Sequence, residues 1–210
     1  MKQVLVFVLL TVAAAPVFAA KTTCTGQIAS QVISTSLDVP AGATCQLNWV
    51  EVSAPVTVEG TLISISSKFD SNVTVTGTGA SIQIVNGFGN ASALAGSLMI
   101  TGSAVNSGIF CPEYDYSNNQ PFTNVIGGSL SFTGNSGRLY VCQASVAGGV
   151  TVNNNTRINT DYSGPQAADL NNITAVGSLS CSGNTSPNGP AITGSGNQAA
   201  HMTGQCAGLN

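Results

Sequence analysis

Ile126-Gly127-Gly128-Ser129-Leu130-Ser131-Phe132-Thr133-Gly134-Asn135 is the stretch whose reading decides the fold. Apolar residues fall at every second place, a small residue interrupts them once, and the run stops at Gly-Asn. A period of two marks a strand with one buried and one exposed face. The small residue at the second inward place leaves room for a bend, and Gly-Asn supplies turn chemistry at the end.

Variants of the same pattern, apolar-x-small-x-apolar-x-apolar, run through the chain. They are Ile33-x-Thr35-x-Leu37-x-Val39, Val52-x-Ala54-x-Val56-x-Val58, Phe69-x-Ser71-x-Val73-x-Val75 and Leu94-x-Gly96-x-Leu98-x-Ile100, then Val146-x-Gly148-x-Val150-x-Val152 and Ala175-x-Gly177-x-Leu179-x-Cys181. Met202-x-Gly204-x-Cys206 reads as a degraded last copy, which places Cys206 in the column of Leu179. Gly60, Gly77, Gly102, Gly134 and Gly183 take equivalent turn positions. Shorter alternations lie between copies, at Leu62 to Ile65, Ile82 to Ile84 and Leu139 to Val141.

A repeat of roughly 20 residues, made of short strands without helix, is the mark of a β-solenoid. The expectation is an all-β, single-stranded parallel β-helix of about eight coils, stacked about 4.8 Å apart. A leucine-rich repeat would need an asparagine ladder and a leucine spacing that this reading does not find. The strands of a β-sandwich would not share one motif register.

Charged residues make up 6% of the chain, against about 25% in an ordinary domain. With 43% hydrophobic residues and a net charge of −3, the chain is nonetheless not composed like a disordered one. No basic patch is present, which argues against nucleic acid and anionic membranes as partners.

Residues 1–20 read as a secretory signal peptide: Lys2, the apolar run Val4 to Val12, and small residues around Ala19 and Ala20. The expected product is one domain over 21–210, secreted, periplasmic or at the cell surface, with no membrane insertion after the signal is removed. Six cysteines follow: Cys24, Cys45, Cys111, Cys142, Cys181 and Cys206. An even count in an exported chain reads as disulfides. Taken in order the pairs are 21, 31 and 25 residues apart. Each separation is close to one repeat, so the spacing favours sequential staples between neighbouring coils. Zinc is disfavoured, since there is no CxxC and His201 is the single histidine.

Thr23-Cys24-Thr25-Gly26, Val39-Pro40-Ala41-Gly42-Ala43-Thr44-Cys45, Gly177-Ser178-Leu179-Ser180-Cys181-Ser182-Gly183-Asn184 and Thr203-Gly204-Gln205-Cys206-Ala207-Gly208-Leu209 together resemble a group of uncharacterised exported bacterial repeat proteins. These are similar to right-handed parallel β-helices. The resemblance spans nearly the whole mature chain. It implies the fold, its hand and export, and carries no activity and no catalytic residues.

Two spacings in the repeat are stretched, giving inserts at about 108–122 and 157–172. Inserts in a solenoid become outer loops, often at a binding face. The first holds Glu113, Tyr114, Asp115, Tyr116 and Phe122, with Phe110 beside them; the second holds Asp161 and Tyr162. Aromatic rings stack on sugars and acids bind hydroxyls, so these seven residues are the candidate ligand site. The ligand class would be an extracellular polysaccharide or a cell-surface component. A close approach of Glu113 and Asp161 would make a paired-carboxylate hydrolase conceivable. Against catalysis stand the scattered acids, the scarcity of bases (Lys21, Lys68, Arg138 and Arg157 in the mature chain) and the absence of a calcium repeat or phosphate loop. The expectation is therefore no catalytic residue, no metal and no cofactor, and a structural, surface or adhesion-type module. Outward threonines (Thr57, Thr74, Thr76, Thr101, Thr133, Thr151) suggest ice binding more weakly, since Asp38, Met99 and Ser131 interrupt the rows.

Overall fold

A computed structural model describes residues 20–85, 93–111, 123–157, 166–187 and 189–210, together with the backbone of 114–115 and 120–121. Residues 1–19 of the expected signal peptide 1–20 lie outside the described residues. Among those described there is no α-helix. The chain is all-β, built from many short strands in one long parallel sheet, an arrangement compatible with a solenoid.

The strands form three parallel ladders that the chain visits in fixed order. The first contains Lys21–Thr23, Ser36–Val39, Val56–Val58, Val73–Thr76, Leu98–Thr101, Leu130–Thr133, Val150–Asn153, then the ends of Ala168–Ser182 and Gln198–Gly204. The second runs Gln27–Ala29, Thr44–Asn48, Thr61–Ile65, Ser81–Val85, Ser107–Ile109, the start of Leu139–Val146, the start of Ala168–Ser182, and Ile192–Thr193. The third runs Val32–Ile33, Glu51–Val52, Lys68–Phe69, Ala93–Leu94, Asn124–Ile126, and then the later parts of the same long strands.

The opening motif therefore holds two strands and a corner. Ile126 ends a third-ladder strand, residues 127–129 turn, and Leu130–Thr133 belongs to the first ladder. Glycine is required in this corner because the rungs nearly touch. A Cβ on Gly127 would meet the Ala95 carbonyl, and one on Gly128 the backbone of Gly96.

The core is made of columns. Leu37, Val56, Val73, Leu98, Leu130, Val150 and Leu179 lie in register and are buried. Beside them run Val39, Val58, Val75, Ile100, Phe132, Val152 and Cys181, also buried. Burying each such side chain is worth about 1.5–3 kcal/mol. At the C-terminal end the repeat register needs correction: Met202, not Cys206, lies opposite Leu179, and Gly204 lies opposite Cys181. The pairing shifts between Ala175 and Ser178, and the chain turns at Gly204 with φ 64°. Cys206 thereby leaves the ladder and folds back against Cys181.

The disulfides are Cys24–Cys45, Cys111–Cys142 and Cys181–Cys206, with Cα separations of 5.4, 4.7 and 5.2 Å. Each lies within the range the bond needs. Three disulfides fit an oxidising, extracellular-type environment. No helix among the described residues is long and apolar enough to cross a membrane.

An asparagine ladder, absent from the sequence reading, is present. At the corner after the first ladder, Gly102, Gly134, Asn154, Gly183 and Gly204 all take left-handed backbone. Gly77 does so too, with φ 108°, whereas Gly60 does not share it. The residue that follows the corners at Gly134, Asn154 and Gly183 points inward. Asn135 Nδ2 donates to the Ile100 carbonyl (3.0 Å) and to Asn155 Oδ1 (2.9 Å). Asn155 Nδ2 donates to the Phe132 carbonyl (3.1 Å) and to Asn184 Oδ1 (2.9 Å). Asn184 Nδ2 donates to the Val152 carbonyl (2.7 Å) and to Gln205 Oε1 (2.9 Å). Each amide thus satisfies backbone groups that the corner takes out of the sheet.

Candidate functional site

Three consecutive second-ladder rungs build the most structured surface feature. Ser107–Ile109 pairs with 139–141, and these pair with 168–170. Side chains alternate along each strand, so Tyr140 and Asp169 share one outward column while Val141 and Leu170 are buried. Gly108 precedes Tyr140 in that column; a Cβ there would collide with the Tyr140 carbonyl, and its φ is 143°.

Phe110 stacks on Tyr140, with ring centroids 5.4 Å apart and an interplanar angle of 27°. The Arg138 guanidinium lies 4.5 Å from the centre of the Tyr140 ring. Arg138 Nη2 also donates to Asp169 Oδ2 at 3.0 Å. The other carboxylate oxygen, Oδ1, accepts from Asn171 Nδ2 (3.0 Å) and Thr193 Oγ1 (3.1 Å). Asn106 Oδ1 accepts from the Arg138 backbone N–H (2.9 Å) and from Arg157 Nη1 (3.1 Å). The result is a stacked aromatic pair beside an Arg138–Asp169 ion pair whose carboxylate accepts three hydrogen bonds.

The described ends of both inserts flank these rungs. The first leaves the second ladder just after Phe110 and Cys111 and rejoins the third at Asn124–Ile126. The second leaves after Arg157 and rejoins at Ala168. Regular winding thus extends through Ile109 and resumes at Ala168, so the inserts are shorter at these edges than 108–122 and 157–172. The Cys111–Cys142 bond ties the foot of the first insert to the neighbouring rung.

Of the sequence-derived site residues, Tyr114 and Asp115 form a short strand, Tyr114–Asp115, antiparallel to Gln120–Pro121. Glu113, Tyr116, Phe122, Asp161 and Tyr162 lie outside the described residues, as does any approach of Glu113 to Asp161. Sequence reasoning missed Phe110–Tyr140–Arg138–Asp169 as a unit. The available signal was the outward place of Tyr140 in the Leu139 to Val141 alternation.

The outward threonines also resolve into columns. Asp38, Thr57, Thr74, Met99, Ser131 and Thr151 are in register, and Thr76, Thr101, Thr133 and Asn153 form a second row. Met99 is 45% exposed within the first row and breaks its chemistry.

Among the described residues no group of three or more histidine, cysteine, aspartate or glutamate side chains is placed to hold a metal. A second charge cluster is on the third ladder, where Lys68 Nζ contacts Glu51 Oε1 (3.2 Å) and Asp70 Oδ1 (2.8 Å). The Asp70 carboxyl is held below its ordinary range by the hydrogen-bonded Lys68 ammonium. Lys68 is raised in turn, chiefly by hydrogen bonds to Asp70 and Glu51.

The class defined by fold and site is a disulfide-stapled parallel β-stack with an aromatic surface between two inserts. Comparison with protein-family models, with curated proteins and with solved structures finds no match to this chain.

Proposed function

We propose that this chain is an exported, right-handed, single-stranded β-helix of about eight coils that works as a surface or adhesion-type module, not as an enzyme. The hand rests on the parallel connections, which are right-handed in nearly all proteins. The coil count rests on the first-ladder register from Leu37 to Met202. Export rests on the signal-like first residues and the three disulfides.

The observation that carries the function is the state of the groups between the inserts. Asp169 holds three donors on its two oxygens, and Arg138 is shared between that carboxylate and a ring. Groups so engaged position a surface. A general acid or base instead needs a proton it can give or take at the reacting atom.

A second reading names the target as an extracellular polysaccharide. It is favoured by the Phe110–Tyr140 stack and by the insert ends that flank the second-ladder rungs carrying it. A glycan array tests both readings. Binding by the wild type, lost in Tyr114→Ala/Tyr116→Ala or in Phe110→Ala/Tyr140→Ala, supports the polysaccharide reading, and no glycan binding at all removes it. New reducing ends released from any bound polysaccharide would overturn the non-enzymatic reading.

A further inference from the structure

Trp49 is the single tryptophan of the chain. It forms the corner between Thr44–Asn48 and Glu51–Val52, has φ 58°, and is 48% exposed. The same left-handed conformation recurs at Ser30, Ser66, Gln143, Asn172 and Gly196, which are all small or polar. Left-handed backbone costs an L-residue roughly 1–2 kcal/mol, and only Gly, Asn and Asp visit it readily. For a bulky residue it is an outlier. The inward turn here is completed by the next residue, Val50, which is buried and whose N–H donates to Ser67 Oγ at 3.2 Å. The indole is therefore not needed to make the corner. Strain of this kind concentrates at ligand sites.

A second observation is the shape around the ring. Ser30, Gln31, Val32, Trp49 and Glu51 line a shallow, open notch of about 300 Å³. Val32, one rung before Glu51 in the same outward column, is 65% exposed. Hydroxyl, amide and carboxylate groups thus stand beside an apolar plate. Glu51 is already compensated by Lys68, which contacts its Oε1 at 3.2 Å.

An exposed ring with hydrogen-bonding groups at its rim matches a sugar, whose C–H face is apolar and whose edge is hydroxylated. A quaternary ammonium is recognised by a cage of several aromatic rings, and one ring with an ion-paired carboxylate does not supply that. We infer that the Trp49 notch binds one neutral pyranose unit of an oligosaccharide or polysaccharide. The inference stands on the first rungs of the stack and is independent of the surface between the inserts.

Because the chain has one indole, a change in its fluorescence reports first on this notch. The mature chain is titrated with cellohexaose, chitohexaose, xylohexaose and mannohexaose. A saturable change with at least one of them is expected, weakened at least about tenfold in Gln31→Ala, a loss of roughly 1.4 kcal/mol. By calorimetry, Trp49→Asn should lose binding by at least about tenfold while melting no lower than wild type, since Asn suits the left-handed corner. Choline chloride should not displace the sugar, and Phe110→Ala/Tyr140→Ala should leave the titration unchanged. No saturable change with any of the four sugars overturns the inference. So does undiminished binding by Trp49→Asn, a clearly lower melting point for it, or displacement by choline. Loss of the signal in Phe110→Ala/Tyr140→Ala moves the sugar to the other surface and overturns it as well.

Discussion

Asn155 shows what one side chain does at the corner of a stacked rung. It donates to the Phe132 carbonyl and to Asn184, and its Oδ1 accepts from the Asn135 backbone N–H at 2.9 Å. It is fully buried. Asn155→Ala strands these groups away from water, and the expected cost is on the order of 3 kcal/mol, read by denaturant unfolding. A change below about 0.5 kcal/mol would mean the corner finds other partners. Lys68 and Asp70 illustrate the opposite, exposed case. Asp70 has a lowered pKa, so its contribution is present above the ordinary carboxylate value and is lost as pH falls through the lowered one. Lys68 has a raised pKa, so its contribution is present below the ordinary lysine value and is lost as pH rises through the raised one. Salt should screen both. An NMR carboxyl titration should show Asp70 ionising below an unpaired aspartate, and Lys68→Met should return it toward the ordinary range. An Asp70 midpoint indifferent to Lys68→Met would sink the assignment.

At the scale of the element, a rung is two to five residues long and has no stability of its own. It persists because a neighbour pairs on each side. Among the described residues the first strand, Lys21–Thr23, pairs only with Ser36–Val39, and the Cys24–Cys45 bond makes up part of the difference. That bond closes a separation of 21 residues, and a loop of this size is worth about 3 kcal/mol in chain entropy. Cys24→Ser/Cys45→Ser should therefore unfold at lower denaturant. Hydrogen exchange should quicken first in Lys21–Thr23 and Gln27–Ala29, with Leu130–Thr133 still protected. Uniform loss of protection along the stack would show instead that the rungs open as one unit. The element scale also explains the misplaced last repeat. A left-handed residue at Gly204 ends the strand two residues before Cys206, so alternation stops being a guide to register there.

At the scale of the whole molecule, the columns from Leu37 to Leu179 were legible because inward positions repeat with the strand period and are filled by Val, Leu and Ile. The sequential disulfides were legible from spacing for the same reason. The asparagine ladder was not. Its signal, Gly134-Asn135, Asn154-Asn155 and Gly183-Asn184, is written in the chain. In a sequence so rich in Gly, Asn, Ser and Thr, however, those pairs read as ordinary turns. Nor could alternation show that Asp169, 31 residues from Arg138, would meet it. That contact depends on the lengths of the intervening turns, which set which rung stacks on which.

By itself the sequence determined the strand period, the inward columns and the cysteine framework. These follow from local alternation and from repeat length, and need no knowledge of which rung lies beside which. The tertiary structure alone decided which polar side chains turn inward to satisfy corner backbone. It also decided that Phe110, Tyr140, Arg138 and Asp169 meet on one face, and that Trp49 is held left-handed over an open notch. Each of these is set by side chains that are distant along the chain and brought about 4.8 Å apart by stacking.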